Sequence, residues 1–295
     1  MAQGSRIPIE KRGGHLFSQW TLNNSVKANV FLESGFPKII FSQSFIELHK
    51  DALKVKLEVP SEDIFVGFWG ADKKYKALYT INDSLTINGV KLSIDALVVD
   101  TSEIPSWGER DILFPILDLQ KRIELNISSK YIRMLDAEEK ISEEYISFNV
   151  HKDDYTRALY LTTTLTAYDD GGSKEELTGN FQLDLGAGNA FTVNKSQPNV
   201  AEFVALSDRM VLKDSTQVQG PKDVDLSIIM PYKVRLGNIE VNDSYIVSMK
   251  YKGKGAALYS GNIGPKFFES FIVIFDFENS KFYLKPTSYK VKIVK

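Results

Sequence analysis

The sequence predicts a mainly β protein built from two similar halves. Val, Ile, Tyr, Phe and Thr dominate its short apolar runs, which Gly, Asn, Asp and Pro interrupt, and this pattern is typical of strands and turns. Apolar residues at helical spacing occur only in brief stretches. One order of segments also occurs twice, about 150 residues apart, which indicates an internal duplication.

Chain length and charge suggest where the domains divide. The chain has 295 residues, more than a typical single domain, so we expect two domains. The segment 136–145 carries a run of charged residues after an apolar strand, which favours a linker. We therefore predict a first domain over residues 1–136, a linker over 137–149 and a second domain over 150–295.

Turn residues locate the clearest strands. Asn88-Gly89 separates two alternating runs within 85–99, a strong signal for a β-hairpin. The segment 158–185 predicts two long strands around an Asp-Asp-Gly-Gly turn. Short helices are predicted where proline stands near a helix start, at 42–53, 115–122 and 265–270.

The duplicated segments each carry an acid at the end of an apolar strand. Residues 112–135 and 262–286 share one order: an apolar pair, Pro, a short helix, a strand, a tight turn and a strand. Asp184 also has a counterpart about 150 residues earlier in the chain, which is Glu33. Both acids are followed two residues later by Gly. Two long copies favour a pair of lobes over a solenoid of many short repeats.

These two carboxylates suggest a chemistry. A lone acid at a strand end is most simply a turn residue that accepts backbone N–H bonds. Two copies at equivalent points can instead meet across a pseudo-two-fold axis. Because two adjacent carboxylates do not easily both ionise, they share one proton. Such a pair acts as a general base toward water and a general acid toward a carbonyl.

The stretch "FQLDLGAGNAFTV" resembles the Asp-Thr-Gly-Ala turn of pepsin-like and retropepsin-like aspartic peptidases. The stretch "GNIGPKFFESFIVIFDFENSKFYLKP" resembles the later half of one of their lobes. The chain looks closest to tandem retropepsin-like proteins exported by bacteria, with both lobes on one chain. The resemblance implies two acid-protease lobes, an inter-lobe cleft for extended peptide, and water activation without metal or cofactor. It implies catalytic roles for Glu33 and Asp184, and turn roles that are assigned to Ser34, Gly35, Gly186 and Ala187.

Departures from the family pattern bear on activity. Glu33 replaces the first Asp, and its extra methylene moves the carboxylate. Leu185 replaces the hydroxyl residue of the second turn, so it cannot donate to the opposite turn. Phe114 is aligned with Gly264, and Phe36 adds bulk after Gly35. These changes favour a peptide-binding cleft with weak or no hydrolysis. The alternatives are an active endopeptidase using the Glu33/Asp184 pair and a non-enzymatic structural or assembly protein.

A second hairpin is expected over the cleft. Residues 62–81 predict a hairpin with its tip near 70–72, where the family carries a mobile flap. Trp69 and Tyr75 are then candidates to line the peptide site. The simpler interpretation is that these aromatic residues are the core of the hairpin.

Composition limits the other functions. A net charge of −2 and a pI of about 6.0 disfavour nucleic acid and anionic lipid as partners. No apolar run is long enough to span a membrane. The chain has no cysteine, which excludes disulfides and thiol chemistry. The three histidines are expected on the surface or in strands and not at a metal. We expect a monomer with a peptide or protein ligand, in an exported, periplasmic or extracellular location.

Overall fold

The computed structural model describes residues 6–68, 73–104, 107–119, 122–154, 157–210, 226–242, 244–250 and 259–294. Within these ranges the protein is mainly β, as the sequence predicts, with three sheets and short helices. The first half has strands β1 (Arg6–Pro8), β2 (Glu10–Arg12), β3 (His15–Leu22), β4 (Val26–Glu33), β5 (Ile39–Ser42), β6 (Phe65–Gly67), β7 (Lys74–Ile87), β8 (Val90–Val99), β9 (Ile112–Pro115), β10 (Arg122–Asn126) and β11 (Tyr131–Met134).

The second half is described from residue 146 onward. Its strands are β12 (Ile146–Asn149), β13 (His151–Lys152), β14 (Leu159–Tyr168), β15 (Lys174–Leu183), β16 (Phe191–Asn194), β17 (Leu226–Ile229), β18 (Lys233–Leu236), β19 (Ile239–Asn242), β20 (Ile246–Met249), β21 (Gly261–Ile263), β22 (Phe271–Asp276), β23 (Lys281–Pro286) and β24 (Val291–Ile293). The α-helices are α1 (Gln43–Leu53), α2 (Pro198–Leu206) and α3 (Pro265–Phe268), and 3₁₀ turns lie at Ile116–Asp118 and Asp208–Met210.

The predicted hairpins and the helices predicted at 42–53 and 265–270 are found, whereas the segment 115–122 contains only a 3₁₀ turn at Ile116–Asp118 among its described residues. Asn88-Gly89 joins β7 to β8, and both residues have positive φ, as a two-residue hairpin turn requires. Helix α1 begins after Ser42, whose Oγ accepts a bond from the Phe45 N–H at 3.2 Å. The sequence analysis missed α2, although Pro198 in its first turn is a helix-start signal.

The two halves repeat one strand connectivity. In the first half β4 runs parallel to β9, β5 runs parallel to β8, and β5 and β9 are antiparallel neighbours. In the second half β15 is parallel to β21, β16 is parallel to β20, and β16 and β21 are antiparallel neighbours. Glu33 ends β4, and Asp184 directly follows β15. The two acids therefore stand at the same point of the repeated pattern.

A six-stranded sheet joins the halves. Its order is β1-β11-β10-β22-β23-β12, and the antiparallel pair β10–β22 lies at the centre. The first half contributes strand β1 and the hairpin β10–β11. The second half contributes strand β12 and the hairpin β22–β23. The predicted linker 137–149 therefore ends in a strand, because Ile146–Asn149 pairs with β23.

A buried ion pair crosses the centre of this sheet. Arg122 of β10 pairs with Asp276 of β22, with Nε to Oδ2 at 3.2 Å, and their side chains are 7% and 2% exposed. Arg122 also donates to the backbone carbonyls of Asp136 and Ala137. Asp276 also accepts from the side chain of Asn279. The two opposite charges are therefore paired across the junction between the halves, and each side chain has further hydrogen-bond partners in its own half.

Removal of the Asp276 carboxylate should destabilise the protein strongly. In Asp276→Ala the buried Arg122 cation has no counter-charge, and the expected loss of unfolding free energy is about 3–5 kcal/mol. Urea unfolding at neutral pH measures this loss. Glu176→Ala removes an exposed partner of Lys174 and should leave the unfolding midpoint close to that of the wild type. Equal midpoints for the two variants would contradict a structural role of the central pair.

Candidate active site

The first acid turn holds Glu33 by backbone hydrogen bonds. Glu33 is the last residue of β4 and is buried, with 8% exposure. Its Oε1 accepts from the N–H groups of Ser34 at 3.0 Å and Gly35 at 2.8 Å. The turn therefore fixes one carboxylate oxygen and leaves the other directed at the second half of the molecule.

The second acid turn surrounds Asp184 with donors. The backbone N–H of Asp184 donates to the Ile263 carbonyl at 2.9 Å, which anchors the turn on β21. The Gly186 N–H donates to Oδ1 at 2.8 Å, and the Asn262 side-chain amide donates to Oδ2 at 2.5 Å. The sequence analysis did not single out Asn262. No residue spacing predicts its contact, because it arises from the parallel pairing of β15 and β21.

One hydroxyl ties the two turns together. Ser34 Oγ donates to the Leu183 carbonyl at 2.8 Å and accepts from the Leu185 N–H at 2.8 Å. The Leu185 side chain is fully buried in the core, and it offers no hydroxyl for a reciprocal bond. The only side chain that links the two turns in these bonds is therefore that of Ser34, which bonds the backbone of the second turn.

The two carboxyl groups interact directly. The Glu33 and Asp184 carboxyls lie within hydrogen-bonding reach of each other, and a proton on either one would let them bond directly. Burial, followed by the charge of Asp184, raises the pKa of Glu33 well above its ordinary value. Burial also raises the pKa of Asp184, but hydrogen bonds from Glu33, Gly186 and Asn262 act in the opposite direction. Burial therefore raises the pKa of both acids, which favours a single proton shared by the pair.

Glycines make the close approach of the turns possible. A Cβ at Gly186 would overlap Glu33 Oε2, and a Cβ at Gly35 would overlap the Gln182 side-chain amide. A Cβ at Gly264 would overlap the Asn189 carbonyl and lie 2.9 Å from the Ala187 oxygen. The longer Glu33 side chain thus occupies space that only a glycine at 186 leaves open.

The alignment of Phe114 with Gly264 is wrong by one residue. In the parallel pairs, Leu32 faces Phe114 and Leu183 faces Ile263, so Pro115 is the counterpart of Gly264. Both also precede the first residue of a short helix. The Phe114 ring points into the core, 4.7 Å from the Trp20 ring centroid. Phe114 therefore does not obstruct the acid turns.

The predicted flap region forms a hairpin whose base is described. β6 pairs with the start of β7, and Val66 faces Tyr75. Trp69 and residues 70–72 lie outside the described residues. Tyr75 is 9% exposed and donates its hydroxyl to the Glu103 carbonyl, so it is part of the core of this hairpin. Phe36 of the first acid turn stacks on Phe68, with ring centroids 5.7 Å apart. The hairpin thus contacts the acid turn through this aromatic pair.

Two cationic side chains accompany the acids. The glycine turn before β3 packs on the second acid turn, since a Cβ at Gly14 would lie 2.9 Å from Gly188 Cα. The next residue, His15, makes a hydrogen bond with the Gly186 backbone and is attracted to Asp184. Burial lowers the pKa of Arg110, and the Glu33 carboxyl, when ionised, acts in the opposite direction. His15 is in a strand, as expected, but its position beside the carboxylate pair was not anticipated.

Comparisons with known proteins do not add to this geometry. No protein-family model matches the chain, and no curated protein matches it. Among the described residues, no helix is long and apolar enough to span a membrane. The same residues contain no group of three or more His, Cys, Asp or Glu suited to hold a metal ion.

Loss of the Ser34 hydroxyl should weaken the junction of the two turns. In Ser34→Ala the Leu183 carbonyl and the Leu185 N–H both lose a buried partner, which should lower the unfolding free energy by about 1–3 kcal/mol. Ser25→Ala is the matched control, because Ser25 Oγ makes only a 3.4 Å bond to Asn23 in an exposed turn. Urea unfolding of both variants checks this, and equal stabilities would contradict the role of the tie.

The raised pKa of Glu33 should make stability depend on pH. The folded protein keeps a proton that the unfolded chain releases near pH 4.5, the ordinary value for Glu. This contribution to stability is complete below that pH and is lost as pH rises through the folded-state pKa. Relative to Glu33→Gln, which cannot ionise, the wild type should therefore lose unfolding free energy as pH rises above about 4.5. Urea unfolding from acid to neutral pH measures this difference, and a constant difference would show that Glu33 titrates normally.

Proposed function

We propose that this chain is an aspartic-peptidase-like hydrolase. In this proposal two retropepsin-like lobes are related by a pseudo-two-fold axis and enclose a cleft for extended peptide. The Glu33–Asp184 pair activates water against the peptide bond. The observation that carries the proposal is the close approach of two carboxyls from equivalent turns that Ser34 ties together, with the pKa of both acids raised by burial. Secretion from the cytoplasm and a monomeric state belong to the same proposal.

In this proposal each acid has its own role. Asp184 is the carboxylate, because both of its oxygens accept hydrogen bonds, whereas both backbone donors to Glu33 reach Oε1 and leave Oε2 for the proton. It takes a proton from water as the water oxygen attacks the carbonyl carbon. Glu33 is the protonated acid and gives its proton to the carbonyl oxygen. Collapse of the tetrahedral intermediate then breaks the C–N bond, and the proton on Asp184 passes to the leaving nitrogen. Glu33 takes back a proton from one of the two hydroxyls as the carboxylic acid product forms.

The departures from the family pattern are partly compensated. Gly186 leaves room for the extra methylene of Glu33, and Ser34 keeps the tie from the first turn. Phe114 is directed into the core, away from the acids. These contacts support hydrolysis more than the residue substitutions alone suggest.

A second candidate is a peptide-binding protein without hydrolysis. The observation in its favour is Leu185, whose buried side chain offers no reciprocal hydroxyl to the first turn. A looser pair of turns would keep the cleft and lose the precise placement that catalysis needs. The two candidates differ in whether a bound peptide is cut.

Peptide cleavage should depend on both acids. We expect the wild type to cleave a quenched-fluorescent peptide library at about pH 3–6, where a shared-proton pair is active. Asp184→Asn and Glu33→Gln should each lower the rate by about 10²–10⁴-fold, the usual contribution of a general acid or base. Glu176→Gln alters an exposed carboxylate on β15 and should retain full activity.

Failure of cleavage has a defined interpretation. A wild type that binds the library by fluorescence anisotropy but never cuts it would establish the second candidate. Cleavage that survives in both acid variants would show that another site or a contaminating peptidase is responsible.

A further inference from the structure

Three side chains beside the acid pair share one face of the sheet with Glu33. Phe17 of β3 faces Phe31 of β4 in the antiparallel register. Two residues further along, the same register places His15 opposite Glu33. Because side chains alternate along a strand, His15, Phe17, Phe31 and Glu33 lie on the same face. The immediate surroundings of the acid are thus two aromatic rings and a histidine.

Arg110 completes this group from the loop before β9. Its guanidinium carbon lies 4.3 Å from the centroid of the Phe31 ring and 5.7 Å from that of Phe17. The His15 ring meets the Phe31 ring edge-on, with centroids 5.4 Å apart. His15 and Arg110 therefore both contact the Phe31 ring. We call His15, Phe17, Phe31 and Arg110 the cationic aromatic group.

His15 and Arg110 each have an unpartnered buried nitrogen. Among the described residues, Nδ1 of His15 and Nε of Arg110 are buried and have no hydrogen-bond partner. Their other contacts are made: His15 bonds the Gly186 backbone, and Arg110 Nη1 donates to the Trp107 carbonyl at 2.6 Å. A buried polar atom without a partner is unfavourable, and such an atom in a native structure calls for an explanation.

The two side chains also repel each other. The charge of Arg110 disfavours protonation of His15, and burial disfavours the charged form of both. Attraction to Glu33 and Asp184 offsets only part of this, because the acid pair shares a proton and carries one charge. An anion bound between the two nitrogens would relieve both the repulsion and the missing hydrogen bonds.

We propose that the cationic aromatic group binds a carboxylate of the peptide substrate next to the scissile bond. This inference rests on the proposed function, because it names the substrate class of that site. A planar carboxylate suits the guanidinium, which favours such partners, and its methylene groups pack on Phe17 and Phe31. His15 and Arg110 each keep part of their surface exposed, so a side-chain rotation brings their free nitrogens to a ligand. The carboxylate belongs either to an acidic side chain or to the carboxyl end of the peptide.

The test compares three pools of random decapeptides at acid pH. One pool is blocked at both ends and contains a single Glu, and the second is identical with Gln in its place. The third contains Gln and has a free carboxyl end. We expect kcat/KM to be roughly tenfold or more higher for a carboxylate-bearing pool than for the blocked Gln pool, as a charged hydrogen bond provides. The pool that is preferred identifies the source of the carboxylate.

Variants test whether the preference for carboxylate-bearing peptides depends on the cationic aromatic group. Arg110→Gln should bring the Glu-to-Gln ratio close to one, Arg110→Lys should leave an intermediate ratio, and His15→Gln should reduce it. Arg209→Gln is the matched control, because Arg209 pairs with Asp169 and Glu175 at the turn between β14 and β15 and contacts no member of the group. Thermal melting checks folding, and if Arg110→Gln does not fold, Arg110→Lys and His15→Gln decide.

The outcomes separate this inference from hydrolysis. Cleavage of all pools at equal rates, or a ratio that Arg110→Gln leaves unchanged, overturns the inference and leaves the proposed function intact. If no pool is cut, fluorescence anisotropy with labelled pools measures binding. Tighter binding of a carboxylate pool that depends on Arg110 then supports the inference although hydrolysis fails. Equal binding of all pools, or no binding, overturns it.

Discussion

The hydroxyl of Ser34 is the interaction on which the candidate site depends. It donates to the carbonyl before Asp184 and accepts from the N–H after it, so the two acid turns are held in a fixed relation. Two carboxylates would otherwise repel each other in this buried place. The Ser34 bonds hold the two turns together against this repulsion, and the raised pKa values of both acids favour one shared proton. The glycines of both turns provide the space for this arrangement.

The sheets of the two halves also hold the two acid turns in position. The six-stranded sheet joins the halves through β10 and β22, and the Arg122–Asp276 pair crosses that seam. Parallel pairing in each half places a strand end beside its acid, so Asn262 of β21 reaches Asp184. The acid pair is therefore a consequence of two similar sheets that meet at one seam. Its geometry does not depend on a single loop.

Sequence reasoning identified the acids but missed their neighbours. The offset between repeats connected Glu33 with Asp184 because the duplication preserves position along the chain. His15, Arg110 and Asn262 reach the site through strand register and loop packing, which local sequence patterns do not encode. Phe114 was aligned with Gly264 because both precede a proline, whereas the strand register pairs the acids with Pro115 and Gly264. The hairpins and two of the α-helices were predictable because turn residues and prolines mark their ends.

Position 185 has no side-chain hydroxyl, but its backbone still takes part in the junction of the turns. The Thr or Ser of an ideal second turn would supply a second tie, but the Leu185 backbone already bonds Ser34. The side chain of Leu185 instead adds to the core of the second half. Position 185 therefore contributes apolar packing, and it makes no side-chain hydrogen bond to the first turn. Activity then depends on whether a single tie positions the acids accurately enough.

The central claim is that Glu33 and Asp184 titrate as one pair that shares a proton. Carbon-detected NMR of their side-chain carboxyl carbons across the acid and neutral range measures this most directly. We predict two separated steps, with both carbons responding to each step and the later step well above the ordinary pKa of Glu. Two independent single-step titrations, each near its ordinary value, would contradict the account.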